Sequence, residues 1–212
     1  MLNRVPLLIA ASGVFAACAL LPTATPASAD TPTTMTCDMF AKTPDLDSLK
    51  KAIGAANVAT EKIAGAEGEE ADATVIYPKD RTRRAYVFWK DEAAHKGPAS
   101  LMVRAGEDAD PLKWSYSGLS IESGPAEIEA LNGKPFVFSG FGWDYGGYIV
   151  DWKGGKLAAP ADGCRVMMRL TPGETVAAPL VDKVSGDKKF LSSDAKVRAA
   201  KPHISEITIE FK

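Results

Sequence analysis

Residues 134–155 constrain the fold more than any other stretch of this chain. They read KPFVFSGFGWDYGGYIVDWKGG and hold seven aromatic residues and six glycines in 22 positions. Glycine adopts backbone conformations closed to other residues and lets two backbones approach closely. Aromatic and β-branched residues on both sides of such a turn are typical of strands. The stretch therefore predicts a tightly turned antiparallel hairpin with strands at residues 136–139 and 147–152.

The N-terminus has the pattern of a secretory signal. Arg4 is followed by an apolar run over residues 5–21 and then by an Ala-Ser-Ala triplet ending at Ala29, the order of a signal peptide and its cleavage site. The apolar run is shorter than the roughly 20 residues of a spanning helix. We predict a signal peptide over residues 1–29, a mature chain from Asp30 without a transmembrane segment, and a location in the periplasm or outside the cell.

Lipoprotein processing at Cys18 is the alternative. Ala16 and Ala17 supply the small residues that such a site needs, but Phe15 stands where leucine is usual. The apolar run also continues past Cys18 to Leu21. Cleavage there would anchor the chain to a membrane through lipid.

Charge and cysteine content limit the class of partner. Removing residues 1–29 also removes Arg4 and takes the formal charge from −2 to −3, which argues against a nucleic-acid partner. Cys37 and Cys164 remain, and such a pair in an exported chain predicts a disulfide. His95 and His203 lie in no metal-spaced pattern. We therefore expect no metal and no cofactor.

Two helices are predicted from their end signals. The first follows Pro44, gathers its apolar residues on one face and ends at Gly54. The second begins after Gly124 and ends at Gly133. Their buried residues are Leu46, Leu49 and Ile53 in the first helix, and Ile128 and Leu131 in the second.

Further strands are predicted between turn signals. Residues 73–77 and 84–89 flank a polar turn and predict a hairpin, to which residues 99–104 add a third strand. Residues 163–170 are expected to continue the sheet of the aromatic hairpin. The last strand alternates, with Ile207, Ile209 and Phe211 on one face and Thr208 and Glu210 on the other, which predicts a half-buried strand.

These elements predict an α+β fold. Residues 30–43 are expected to be a flexible lead-in, and residues 44–212 one compact domain. The domain would contain two similar helix-plus-antiparallel-sheet units, residues 44–104 and 112–170, followed by a C-terminal strand. Each unit runs from a short helix through a closing glycine to a strand that ends in Trp-Lys, at Trp89 and at Trp152.

Residues 114–157 carry a family resemblance. LNGKPF, GFGWDYGG and DWKGGKL follow one another there, and this order resembles an uncharacterised group of exported proteins of Gram-negative bacteria. YPKDRTRRAYVFWKD, further upstream, is similar to the first unit of that group. The chain departs from the group at residues 122–125. The resemblance implies export and no particular activity. More loosely, the architecture is similar to β-lactamase-inhibitor-like domains and outer-membrane-assembly lipoprotein domains.

The aromatic hairpin is the predicted binding surface. Tryptophan and tyrosine combine a large contact area with a polar group and dominate many recognition surfaces. The predicted binding residues are Phe141, Trp143, Asp144, Tyr145 and Tyr148. The alternative is that Trp143 and Tyr145 fold back onto the sheet while Asp144 accepts hydrogen bonds from turn amides. We expect a non-enzymatic binding module for an envelope protein or glycan.

The sequence also contains candidate catalytic residues and two charged clusters. No serine lies in a nucleophile elbow, and no catalytic residue is predicted. A small periplasmic hydrolase using carboxylate acid/base chemistry at Asp144 and Asp151 is the alternative function. The acidic residues at 67–72 are expected to form a solvated linker. The basic residues at 79–84 are expected to form a soluble turn.

Overall fold

The computed structural model describes residues 33–64, 68–106, 112–159 and 164–212. The predicted signal peptide, Cys18, Asp30 and Glu67 lie outside the described residues. The helices are α1 (Leu46–Ile53), α2 (Pro125–Asn132), α3 (Ala178–Val181) and α4 (Ala195–Ala199). The strands are β1 (Thr33–Thr34), β2 (Val58–Ala64), β3 (Glu70–Ile76), β4 (Ala85–Asp91), β5 (Lys96–Arg104), β6 (Trp114–Tyr116), β7 (Leu119–Ser120), β8 (Val137–Ser139), β9 (Ile149–Asp151), β10 (Arg165–Thr171), β11 (Lys189–Leu191) and β12 (His203–Glu210).

A six-stranded antiparallel sheet organises the molecule, with strand order β10-β12-β5-β4-β3-β2. Strands β2 to β5 form a meander, and the C-terminal strand β12 inserts between β5 and β10. Two three-stranded sheets, β1-β6-β7 and β11-β8-β9, complete the structure. Only the β1–β6 pair among these described strands is parallel. The α+β fold class predicted from the sequence is confirmed.

Both predicted helices form with the expected ends. The carboxylate of Asp45 accepts a hydrogen bond from the Ser48 amide at 2.8 Å, and this bond lowers the pKa of Asp45. The first helix ends at Gly54 with φ of +88°. In α2 the Glu127 side chain accepts from the Gly124 amide at 2.8 Å, and Gly133 ends the helix with φ of +77°. Local capping chemistry therefore sets the length of both helices.

Three predictions, one of a linker and two of strands, need correction. The acidic cluster is not a linker within the described residues, because Glu70 and Asp72 lie in β3 and Lys62 of β2 forms an ion pair with Asp72 at 3.0 Å. Strand β10 belongs to the six-stranded sheet, where it pairs with β12, and an isolated bridge between Tyr148 and Arg169 joins it to the aromatic hairpin. The last strand is not half buried. Its neighbours on both sides bury Glu206 and Thr208 as well as the isoleucines.

The six-stranded sheet has two unlike faces. Side chains alternate between the faces of a strand, and one face packs into the hydrophobic core through Val87, Leu101, Val103, Val166, Met168, Ile207 and Ile209. We call the other face the open face, because its side chains do not belong to that core. The register places Met167, Thr208, Met102 and Tyr86 in one row across it. A neighbouring row contains Arg169, Glu206 and Arg104.

The predicted disulfide forms between Cys37 and Cys164, with Cα atoms 5.4 Å apart. It joins the segment before α1 to the start of β10. The division into two similar units at residues 44–104 and 112–170 stays a prediction. Within the residues that the structure describes, none of the helices has the length and apolar composition needed to cross a bilayer.

Candidate functional site

The aromatic loop, residues 140–148, joins β8 to β9 and is fixed by backbone hydrogen bonds. The amide of Gly140 donates to Lys188 at 2.7 Å, and that of Phe141 donates to Val184 at 3.0 Å. On the other side, the Leu170 amide of β10 donates to Gly147 at 2.9 Å. The loop is therefore bound to two separate segments and presents its side chains from a fixed frame.

The glycines of this loop permit close backbone approach. A Cβ atom on Gly147, where φ is +83°, would lie 2.1 Å from the Leu170 carbonyl oxygen. A Cβ on Gly146 would lie 2.7 Å from the carbonyl oxygen of Gly140. Real Cβ contacts do not reach such distances, so these positions accept only glycine without a shift of the backbone.

Trp143, Asp144 and Tyr145 lie at the surface, and we call them the aromatic ridge. Trp143 is 38% exposed and Tyr145 54% exposed, with their rings 5.7 Å apart in an edge-to-face arrangement. The indole of Trp143 donates to the Gly140 carbonyl at 2.8 Å, which fixes the ring. These two aromatic side chains do not fold back into the core.

Two other predicted binding residues are not part of this ridge. Phe141 is buried against Phe138, with ring centroids 5.3 Å apart, so it is a core residue. Tyr148 is half buried on the open face beneath the guanidinium of Arg169, 5.1 Å from its ring centroid. Its hydroxyl donates to Glu206 at 3.1 Å. Burial first, and the Glu206 carboxylate second, raise the pKa of Tyr148.

A cleft of about 290 Å³ lies beside the ridge. It opens between the aromatic loop and the ends of β5, β10 and β12. Its lining combines charged, polar and aromatic side chains with loop backbone. The lining residues are Arg104, Ala105, Phe141, Gly142, Trp143, Gly146, Arg169, Leu170, Thr171, Pro172, Ser205 and Glu206.

Arg169 ties the loop to the sheet. Its Nε donates to the Gly146 carbonyl at 2.8 Å, and its Nη2 donates to the Asp144 carbonyl at 3.0 Å. The same guanidinium stacks on Tyr148. Hydrogen bonds from a charged donor are the stronger kind, so Arg169 holds both the ridge and one wall of the cleft.

Arg104 and Glu206 face each other across β5 and β12 in the cleft. Arg104 stacks on Tyr86, 5.8 Å from the ring centroid, and forms no ion pair with any residue the structure describes. Glu206 is only 5% exposed. It accepts from the hydroxyls of Tyr148 and Thr208, and within the described ranges it too forms no ion pair.

Sequence reasoning missed Arg104, Arg169 and Glu206. They come from three strands, and only the sheet brings them together. The available signal was a charged residue within each of three strongly apolar strands, in LMVR, VMMRL and ISEITI. Such residues are rarely buried without a partner or a function.

Neither the cleft nor a second cavity is lined by both carboxylates of the hydrolase alternative. Asp151 lies near Lys153, 3.5 Å between the charged atoms, and lines a second cavity of about 500 Å³. Asp144 lines neither that cavity nor the cleft. Among the described residues no group of three or more histidine, cysteine, aspartate or glutamate side chains could hold a metal ion.

The basic turn and the two tryptophans predicted at strand ends, Trp89 and Trp152, have structural partners. Arg84 binds the Glu61 carboxylate and Arg83 binds Asp80 at 2.6 Å, so much of the basic turn is engaged internally. Trp89 is buried and donates to Thr74 at 2.8 Å, whereas the Trp152 ring packs partly buried on the core. These side chains contribute to packing.

Comparison with protein-family models, curated proteins and solved structures finds no match to this chain. The function therefore has to be argued from the ridge and the cleft themselves, because a fold alone does not determine function.

Proposed function

We propose that this chain is an exported, non-enzymatic binding module that holds an envelope protein or glycan through the aromatic ridge. One observation carries the proposal. The exposed large hydrophobic side chains of the described residues are Trp143, Tyr145 and Val150, and two of these three lie next to each other on one loop. Exposed aromatic pairs of this kind provide the anchors of recognition surfaces.

The frame around the ridge supports this role. Backbone hydrogen bonds and Arg169 fix the loop before any partner arrives. A surface that is already ordered loses less conformational entropy on binding. Tryptophan, tyrosine and arginine are also the residue types enriched at protein interfaces, so a protein partner is the first choice and a glycan the second.

Export is supported by the Cys37–Cys164 disulfide, since such bonds persist in oxidising compartments. The intact mass of protein recovered from an exporting host tests the processing site. A chain that starts at Asp30 is the expected result. An acylated chain that starts at Cys18 would replace free export with a lipid anchor.

Capture from an envelope extract tests the binding role. The double variant W143A/Y145A should lose most of the capture, while the melting temperature falls by only several degrees, because Tyr145 is exposed and Trp143 loses one hydrogen bond worth about 1 kcal/mol. Val150→Ala is the matched control, since Val150 is also exposed but lies on β9 outside the loop. Capture that is equal in wild type and double variant would contradict the proposal.

Treatment of the extract separates the two partner classes. Protease digestion should abolish capture of a protein partner, whereas periodate oxidation of sugars should leave it intact. The reverse pattern would assign a glycan.

The predicted hydrolase alternative gains no support from the separate positions of Asp144 and Asp151.

A further inference from the structure

We infer that the cleft beside the ridge binds an amino-acid-type group, with its carboxylate on Arg104 and its ammonium on Glu206. This inference rests on the proposed function, because it names the chemistry that the same binding site selects. The group is defined by a carboxylate and an ammonium on one carbon.

The charge arrangement around Glu206 is the first argument. The strand register places Arg104 on one side of it and Arg169 on the other. Neither arginine is in ion-pair contact with Glu206, and Arg169 instead uses two of its donors on loop carbonyls. A buried carboxylate usually has a direct cationic partner. A ligand ammonium in the cleft would supply one.

Arg104 supplies the complementary half of the site. A guanidinium has five N–H donors in a planar fork that matches a carboxylate in a bidentate manner. The structure describes no hydrogen bond from the Arg104 guanidinium, and the stack on Tyr86 holds this side chain in place. The fork is therefore available to a carboxylate that enters the cleft.

Only a ligand with both charges satisfies the two side chains together. The Glu206 carboxylate would repel a simple anion, and the two arginines would repel a simple cation. The volume of about 290 Å³ lies at the lower end of ligand pockets, so it fits one residue-sized group. Trp143 borders the cleft and offers an apolar surface to the remaining part of the ligand.

Calorimetric titration of the full exported protein tests the inference. The probes are L- and D-alanine, glutamate and phenylalanine, with propionate as the carboxylate alone, alaninamide as the ammonium alone, and galacturonate as an acidic sugar. We expect saturable binding of at least one amino acid, with propionate and alaninamide about tenfold weaker or more. No binding of any amino acid at millimolar concentration would overturn the inference. Tighter binding of galacturonate than of every amino acid would overturn it in favour of a carbohydrate site.

Variants identify the two contacts. Arg104→Met keeps the apolar stem, and Glu206→Gln keeps an oxygen that can accept from Tyr148, so each removes mainly a charge. Each should weaken the amino acid about tenfold or more. Arg165→Met and Glu210→Gln are matched controls, because this exposed ion pair lies on β10 and β12 outside the cleft. Equal affinity in Glu206→Gln and Glu210→Gln would refute the assignment of the ammonium.

The ridge and the cleft can fail separately. Tyr145→Ala removes a ridge residue that does not line the cleft, so it should reduce partner capture and leave amino-acid affinity unchanged. Loss of capture in this variant with no amino-acid binding to the wild type would refute the cleft inference alone. Amino-acid binding in a protein whose capture ignores Trp143 and Tyr145 would refute the proposed partner surface alone.

Discussion

Two glycines of the aromatic loop provide a matched test of how the site is built. Gly142 and Gly147 share a left-handed backbone, with φ of +85° and +83°. Their surroundings differ. A Cβ on Gly142 would meet nothing closer than the Ser185 Cβ at 4.0 Å, whereas a Cβ on Gly147 would lie 2.1 Å from the Leu170 carbonyl oxygen.

The expected costs follow from this difference. Gly142→Ala should destabilise the protein by about 1–2 kcal/mol, the cost of a side chain in left-handed backbone. Gly147→Ala carries the same cost and adds about 1–3 kcal/mol of overpacking. It also breaks the backbone hydrogen bonds of Gly147 with Ser139 and Leu170, which costs about 1 kcal/mol for each bond. The sum for Gly147→Ala is about 4–7 kcal/mol, a large part of the stability of a domain.

Urea unfolding followed by circular dichroism measures both variants against wild type. A common slope with shifted midpoints would show that stability alone has changed. We expect Gly147→Ala to lie at least about 2 kcal/mol below Gly142→Ala, given the overpacking and the broken hydrogen bonds. Equal midpoints would refute the argument that close approach to β10, rather than backbone conformation, requires glycine at position 147.

Three further predictions concern other parts of the molecule. The Cys37–Cys164 bond spans 127 residues, so reduction and alkylation should lower the free energy of unfolding by up to about 4–5 kcal/mol. The urea midpoint should fall with it, and an unchanged midpoint would contradict this. The pKa of Tyr148 is raised in the folded protein. The stability that its protonated hydroxyl contributes is therefore complete below the unfolded pKa and is lost as pH rises through the folded pKa. Tyr148→Phe should reduce this alkaline loss of stability. Asn132 is 1% exposed, and its amide donates to two carbonyls at 2.9 and 3.0 Å. Asn132→Asp should cost about 3–5 kcal/mol in the same urea assay, and a cost below about 0.5 kcal/mol would show that these bonds contribute little.

Local signals in the sequence predicted the parts of the fold that local chemistry determines. Capping residues and glycines bounded α1 and α2, and a polar turn located the β3–β4 hairpin. The sequence of β2, VATEKIA, alternates weakly and carries two charges, so it gave little strand signal. The pairing of β10 with β12 depends on a strand some 30 residues further along the chain, so neighbouring residues do not predict it.

The candidate site likewise has one part that neighbouring residues in the sequence predict and one part that they do not. Trp143 and Tyr145 were found because they are close in sequence and flanked by glycines. The buried position of Phe141 was not predicted, because strand alternation alone does not say which aromatic residue a turn directs into the core. The charged side chains of the cleft come from β5, β10 and β12, so their meeting depends on the strand order of the completed sheet.

The central position of β12 determines when the large sheet can fold. The strand that separates β5 from β10 consists of residues 203–210 and is the last of the described strands in chain order. Until those residues are available, β10 has no neighbour in the large sheet and the row that contains Arg104 and Arg169 lacks Glu206. A chain in which residues 203–210 are missing therefore cannot complete its main sheet or its cleft. Late closure of this kind delays completion of the large sheet until residues 203–210 have been synthesised.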